Sequence, residues 1–394
     1  MIHFLEYDFR NKRALVRVDF NVPINKENFQ VQDDKRIRAA LPTINHILSS
    51  GGSVVLMSHF GRPKEGPEDR FSLRHILSDV SAVLGRPITF CSDIQEAIVH
   101  SKNMKSGDVM MLENVRFDAG ETSGDMAFAN SLAQLGDCYV NDAFGAAHRA
   151  HASTTQIASF FPNNRMMGLL MSSELENEHK ILSIPKRPFT AIVGGAKISD
   201  KVLIIQNLLK IATDIIIGGG MAYTFVKAQG GNIGKSLVEE DRLDIAREIL
   251  NSAQNANVRI HLPMDSISAN EFSATATVCI VKTHEIPSDL MGLDIGPEAI
   301  LEFKKVISNS KTILWNGPMG VFEWRAFENG TKEIAMAVAE ATSQGAYSLI
   351  GGGDSASAIA KFNLEDKVSY VSTGGGALLE LFEGKQLPGV LALS

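Results

Sequence analysis

Cysteine is scarce in this chain. Its three residues, Cys91, Cys138 and Cys279, stand far apart with no CxxC pair, which excludes a disulfide scaffold and zinc-ribbon spacing and fits a reduced, cytoplasmic setting. Long apolar runs are missing as well. None approaches the roughly eighteen residues of a membrane span, and the opening MIHFLEYDFRNKR has no apolar signal core, so the expectation is an untargeted protein without membrane contact. Nor is there an excess of positive charge. With a formal net charge of -7, a nucleic-acid surface is disfavoured, and any attraction for anions must come from local basic clusters. Neither GxGxxG nor GxxxxGK[ST] occurs, so the dinucleotide fingerprint and the Walker P-loop are both absent.

What is present is ordinary globular composition. At 394 residues, 44% hydrophobic and 21% charged, the chain can form two or three domains, each with its own core. The stretch Thr190 to Phe225 is the most informative. An apolar run ends in Gly194 and Gly195, apolar residues recur at Ile198, Val202, Ile205, Leu209 and Ala212, and a second run, Ile215 to Ile217, ends in three glycines. The spacing predicts strand, glycine turn, helix, strand and glycine turn. Lys197 and Lys201 are four apart at the expected helix start, hence on one face. Two cations there oppose the macrodipole unless an anion lies between them, which suggests phosphate; two solvated surface lysines are the alternative.

The same alternation fills the first half. ALVRVDF at 14–20 reads as a strand, and helix period runs from Arg36 to Gly51 with Pro42 inside it. Further strands are expected at 53–58, at 109–117 and from 138, with a helix over 72–84. Alternating strands and helices imply parallel sheets, whose ligands bind beyond the carboxyl ends of the strands. Those ends carry Asp19 and Asn21, His59 and Arg62, Arg116, and His148, Arg149 and His151, with Arg36 just ahead of a helix. Converging guanidinium forks suit a small, highly charged acid phosphate. A metal reading of His148 and His151 lacks a carboxylate at a recognisable spacing.

A charged helical segment near 171–186, followed by Pro188, reads as an interdomain helix and hinge. The second half then repeats the architecture, with strands expected near 190–193, 214–217, 277–281, 312–315, 346–350 and 369–372. Glycines follow several of these strands, at Gly218 to Gly220, Gly317, Gly351 to Gly353 and Gly374 to Gly376. Such clusters let backbone approach a ligand closely and suggest a nucleotide cradle.

In sequence, VRVDFNVP, RIRAALPTI, SHFGRPK, LENVRF, VNDAFGAAHRAHAST, GGAKISDK, GGGMAYTF, LDIGP, WNGPMGVFE, GGGDS and STGGGALLELFEGKQLPGV follow one another from Val16 to Val390. Their order and density resemble the phosphoglycerate kinase family. The resemblance implies two similar-sized doubly wound parallel-sheet, Rossmann-like α/β domains: 1–170 for the acid, 171–188 as helix and hinge, and 189–376 for the nucleotide, with the tail from about 377 packing back on the first. It also implies a cytoplasmic monomer that moves the acyl phosphate of 1,3-bisphosphoglycerate to Mg-ADP, giving 3-phosphoglycerate and ATP, with Mg2+ as cofactor and no nucleic-acid or membrane partner. By motif position, Asp19, Asn21, Arg36, His59, Arg62, Arg116 and Arg149 would hold the acid. Lys201, Gly292, Asn316, Glu323, Gly352, Gly353, Asp354 and Ser355 would hold the nucleotide, with Glu323 near the ribose and Asp354 towards the metal. Arg36 and Lys197 would flank the transferring group. The departures, Phe60, Glu298, Ala299, Ser172, Ser173 and WRAF after Glu323, remove none of these charges. A nucleotide-linked oxidoreductase and an inactive phospho-ligand-binding scaffold are the alternatives.

Overall fold

RALVR, SVVLM, VMML and CYVN are rich in apolar residues and almost wholly buried, as strands covered on both faces must be. The structure is a computed structural model that describes residues 3–64 and 66–394; the first two residues of the opening stretch lie outside it. The chain divides into two units, Met1–Glu176 with Gln386–Ser394, and Asn177–Lys385.

The first unit is built on β1 (Arg13–Arg17), β2 (Ser53–Met57), β3 (Thr89–Cys91), β4 (Val109–Leu112), β5 (Cys138–Asn141) and β6 (Arg165–Met167). They form one six-stranded sheet in the order β3-β4-β2-β1-β5-β6, and every pairing is parallel. From β1 the chain crosses first to β2 on one side and later to β5 on the other. The sheet therefore has its switch point at the carboxyl ends of β1 and β5, where Arg17 is in register with Asn141. The helix Lys35–Ser49 buries Ile37, Ala40, Ile44, Ile47 and Leu48 on the sheet side and continues through Pro42. Pro42 lies on its exposed face.

The second unit contains β7 (Phe189–Val193), β8 (Asp214–Ile217), β9 (Asn232–Ile233), β10 (Arg259–His261), β11 (Asp265–Ala269), β12 (Val278–Lys282), β13 (Glu285–Ile286), β14 (Met291–Ile295), β15 (Thr312–Asn316), β16 (Tyr347–Gly351) and β17 (Tyr370–Val371). Its six-stranded sheet runs β10-β8-β7-β15-β16-β17 and is again parallel throughout. The switch point falls between β7 and β15, with Val193 opposite Asn316.

Several expectations need correction. The run near 277–281 is a strand, but it is the mostly exposed outer member of a small antiparallel sheet, β12-β11-β14, and has no place in the main sheet. The helix period after Gly195 does not begin at Lys197. Helix starts at Val202 with Lys201 as its N-cap, because Lys201 N–H closes a turn onto the Ile198 carbonyl at 2.8 Å. Lys197 is an exposed loop residue before that turn, so the shared helical face does not exist. The charged helix spans Leu169–Leu182, and the division between units falls within it. The tail joins the first unit from Gln386 rather than 377. Gly389 N–H reaches the Ala147 carbonyl at 2.8 Å, whereas Phe382 still accepts from Asn207 of the second unit.

Candidate functional site

At the switch point of the first unit the loops after β1, β2, β4 and β5 place basic side chains around one another. Asp19 takes a hydrogen bond from Arg36 Nη1 at 2.8 Å and one from the Asn21 N–H at 3.1 Å. Asn21 Oδ1 in turn accepts from Gly61 N–H at 2.8 Å, and the Gly61 carbonyl accepts from Arg116 Nη1 at 2.7 Å. Buried Asn114 braces the same loop, accepting from Phe60 N–H and donating to the carbonyls of Phe60 and Phe71. Arg149 Nε lies 3.1 Å from His148 Nε2. Arg62, beside Gly61, is exposed and has no ion pair with a described residue.

The electrostatics of this cluster are unbalanced. The guanidiniums of Arg17, Arg36, Arg116 and Arg149 interact there with one another or with two carboxylates, Asp19 and Glu121. Burial pushes the Arg116 guanidinium down to about 10, and the charges of Arg17 and Arg149 push the same way. Its Nε is buried with no hydrogen-bond partner. An arginine that crowds other arginines and keeps a buried Nε–H without an acceptor is poised for an anion.

The second unit uses little charge. A cavity of about 580 Å³ is edged by Gly195, Gly219, Gly220 and Gly320, walled by Tyr223, Leu237, Phe272, Leu293 and Val321, and reached by Lys235, Glu323 and Asp354. Gly194 and Gly317 pack backbone to backbone at the switch point, where a side chain on either would strike the other loop. Gly317 also has a φ of +100°, which favours glycine. Gly292 lines the cavity directly over the Tyr223 hydroxyl, leaving no room for a Cβ.

Beside the cavity, Lys201 Nζ donates to Asn316 Oδ1, and Asn316 Nδ2 donates to the Gly351 carbonyl at 2.7 Å. Ser355 Oγ accepts from Gly317 N–H at 2.6 Å. Burial pushes Lys201 below its ordinary value, against the charges of Asp200 and Asp354. Gly352, with φ +89°, precedes the helix Gly353–Lys361, whose first turn carries Asp354. A helix N-terminus fronted by glycine is a ready phosphate site.

The expected nucleotide residues thus split. Gly292, Glu323 and Asp354 line the cavity, while Lys201, Asn316, Gly352, Gly353 and Ser355 form the adjoining strand-end cluster. Lys197 is exposed and lines neither. Sequence reasoning missed Arg17, Glu121 and Ser153 in the first unit and Tyr223, Lys235 and Phe272 in the second. For Arg17 a signal was available, because a charge inside the apolar run ALVRVDF needs buried partners. Phe272 gave none, being distant in sequence from every glycine cluster.

Comparison with known proteins bears on the family and the fold. A relative from Porphyromonas gingivalis named phosphoglycerate kinase is 49% identical, covering 98% of this chain and 99% of its own. One of the same name from Thermosipho africanus is 48% identical over 99% and 96%. The solved phosphoglycerate kinase of Coxiella burnetii superposes with a TM-score of 0.89 at 40% identity over 98% and 97% of the two chains. That of Pyrococcus horikoshii gives 0.85 at 30% identity over 100% and 98%. The family model described as phosphoglycerate kinase matches residues 4–385, and the chain belongs to that family.

Proposed function

We propose that this protein reversibly transfers the acyl phosphate of 1,3-bisphosphoglycerate to ADP, with the acid on the first unit and the nucleotide on the second. The observation that carries the first assignment is the unbalanced guanidinium cluster with Arg116 Nε unpartnered. Arg62, Arg116 and Arg149 hold the phosphate and carboxylate of the acid, Asp19 orients Arg36, and Asn21 fixes the loop that carries His59. In the second unit the base enters the apolar part of the cavity, Glu323 meets the ribose, and the phosphates run towards Lys201 and the helix that starts at Gly353.

Asp354 suits a magnesium ion: it is an exposed carboxylate in the first helical turn, at the cavity, and Mg2+ binds through one or two carboxylates and substrate phosphates. Bound there, the ion would neutralise phosphate charge. The remaining chemistry belongs to the side chains. The acceptor carboxylate is ionised at neutral pH, so no general base is needed. Arg36 and Lys197 supply positive charge to the transferring group, whose transition state is largely dissociative. Because the acid and the nucleotide bind to different units, transfer requires those units to close, which also excludes water from the acyl phosphate. The test is a coupled assay with 3-phosphoglycerate, ATP and Mg2+. Steady turnover is expected, and none in any nucleotide or metal condition would refute the reading. The setting is taken as cytoplasmic and the active species as a monomer, which sedimentation of the full chain would check.

A further inference from the structure

Behind the acid site lie three polar residues with no role so far. Arg17, Glu121 and Ser153 are completely buried, and they form a continuous chain of hydrogen bonds. Ser153 Oγ donates to Glu121 Oε1 at 2.7 Å, Ser153 N–H donates to Glu121 Oε2 at 2.9 Å, and Ser153 Oγ accepts from Arg17 Nε at 2.8 Å. Arg17 Nη1 donates to the Val18 carbonyl at 2.5 Å, and Nη2 lies 3.3 Å from His59 Nδ1. The Ser153 carbonyl is itself pinned by the Tyr139 hydroxyl at 2.8 Å. Burial pushes the Glu121 carboxyl up, but His151, Arg17 and the two Ser153 donors together hold it below the usual range.

The direction of the last link follows from chemistry. A guanidinium has N–H donors and no acceptor, and it keeps its charge at any working pH. Arg17 Nη2 must therefore donate, His59 Nδ1 must accept, and the ring proton must sit on Nε2. We propose that Glu121 and Ser153 are positioning residues that act through Arg17 to hold His59 as a neutral Nε2–H donor to an oxygen of the bound acid. The inference rests on the acid-binding reading for its ligand, but the relay exists without one.

The charged groups facing His59 are Asp19, whose Oδ1 is 3.9 Å from Nδ1, and the guanidiniums of Arg17, Arg36 and Arg116. Burial above all, with those three cations, pushes the imidazole down to about 3 against the pull of Asp19. The site thus gains a hydrogen-bond donor that keeps one protonation state where histidine ordinarily titrates.

Long-range proton–nitrogen spectra of the nitrogen-15-labelled full chain test this without ligand, with His59 assigned by the loss of its signals in His59→Gln. Wild type should show an unprotonated Nδ1 and a protonated Nε2, unmoved from pH 5.5 to 8.5. Ser153→Ala keeps the backbone and removes the link. It should give mixed Nδ1–H and Nε2–H tautomers of a ring that stays neutral, since burial and the neighbouring guanidiniums are unchanged, and a KM for 3-phosphoglycerate raised about fivefold, as expected for one lost hydrogen bond. That rise should exceed any change in kcat and should accompany the tautomer change, which a merely structural defect would not produce. Glu121→Gln should act in the same direction; should it fail to fold, the other two spectra still decide. A wild-type His59 that titrates in this range, or carries its proton on Nδ1, overturns the relay, as does a Ser153→Ala spectrum identical to wild type. A fixed His59 in a chain with no turnover would refute the proposed function and leave the relay standing.

Discussion

The two switch points occupy the same place in two copies of one architecture, yet they are made of opposite materials. At β1 and β5 the site is guanidinium and imidazole, with carboxylates behind them. At β7 and β15 it is glycine backbone and apolar wall, with Lys201 and Asp354 at its margin. The difference teaches what each ligand has to offer. A three-carbon acid phosphate has little surface to bury, so its affinity must come from charge and geometry. A nucleotide brings a large planar base, and its phosphates can be met by N–H groups that only glycine lets approach.

The largest effects should come from Arg36, at the acid site, and Lys197, which lines neither site, because both are assigned to the transferring group. Arg36→Ala and Lys197→Ala are each expected to lower kcat by about a hundredfold or more with a smaller change in KM, as for removal of one transition-state donor. Saturating steady-state kinetics with both substrates checks this. A Lys197→Ala enzyme with near-normal kcat and raised nucleotide KM would move Lys197 into the nucleotide cradle and blur the contrast.

A crossed pair of substitutions tests the division itself. Arg116→Ala should weaken 3-phosphoglycerate by about tenfold to a hundredfold, the worth of a charged hydrogen bond, and leave Mg-ADP unchanged. Gly292→Ala puts a methyl group against the buried Tyr223 hydroxyl. It should weaken Mg-ADP by about tenfold, a typical overpacking cost, and leave the acid unchanged. Calorimetric titration of each variant with each ligand gives four numbers. Equal losses for both ligands in either variant would break the comparison.

The acid site was the more legible of the two because its chemistry is written in side chains. In a parallel sheet every polar residue after an apolar run lands at one edge, so Asp19, His59, Arg116 and Arg149 could be grouped from strand ends alone. Buried partners were not legible. Arg17 hides within a strand pattern, and Glu121 and Ser153 reach it only through the fold. In the second unit the glycines marked the edge correctly, but the walls come from β14 and from Phe272, which no local pattern ties to the main sheet. Lys197 and Lys201 show the limit of periodicity. Ile198 is buried at a helical spacing from Val202, yet it is held by a turn, and two residues in phase were read as one helix.

Salt should separate the sites more gently. Arg62 is exposed and Arg36 and Arg149 are half-buried, so acid affinity should fall a few-fold, roughly three- to tenfold, as ionic strength rises from 0.05 to 0.3 M. Gly292 and the apolar wall are indifferent to screening, so Mg-ADP affinity at fixed free Mg2+ should change less. The reverse order would mean that charge dominates the nucleotide site after all.

The smallest effect concerns a carboxyl hidden behind the nucleotide cavity. Asp294, at the end of the β14 wall, accepts from Gly330 N–H at 2.7 Å and from its own neighbour Ile295 N–H at 2.9 Å. Gly330 lies in the first turn of the helix Asn329–Ser343. Burial pushes the group from 3.8 up to about 8, with both N–H bonds pulling the other way. Between those values the native state binds more protons than the unfolded chain, so stability falls as pH rises through that window and is fully lost to this group above about 8. Asp294→Asn cannot ionise, but it keeps only one acceptor oxygen, so one of the two N–H groups loses its partner. At pH 4, before much of that stability is lost, the variant should therefore be no more stable than wild type, because it lacks one hydrogen bond, whereas at pH 9 it should be the more stable of the two. Both tryptophans, Trp315 and Trp324, lie in the second unit, so urea unfolding followed by their fluorescence reports this unit alone. Around the acid site the shifted groups lie outside pH 7 to 9, with His59 held near 3, Asp142 just after β5 near 6 and Arg116 near 10, so 3-phosphoglycerate affinity should stay flat across that range. A variant less stable than wild type by the same margin at both pH values would show that Asp294 stays ionised throughout, and the pH contrast between the two sites would disappear.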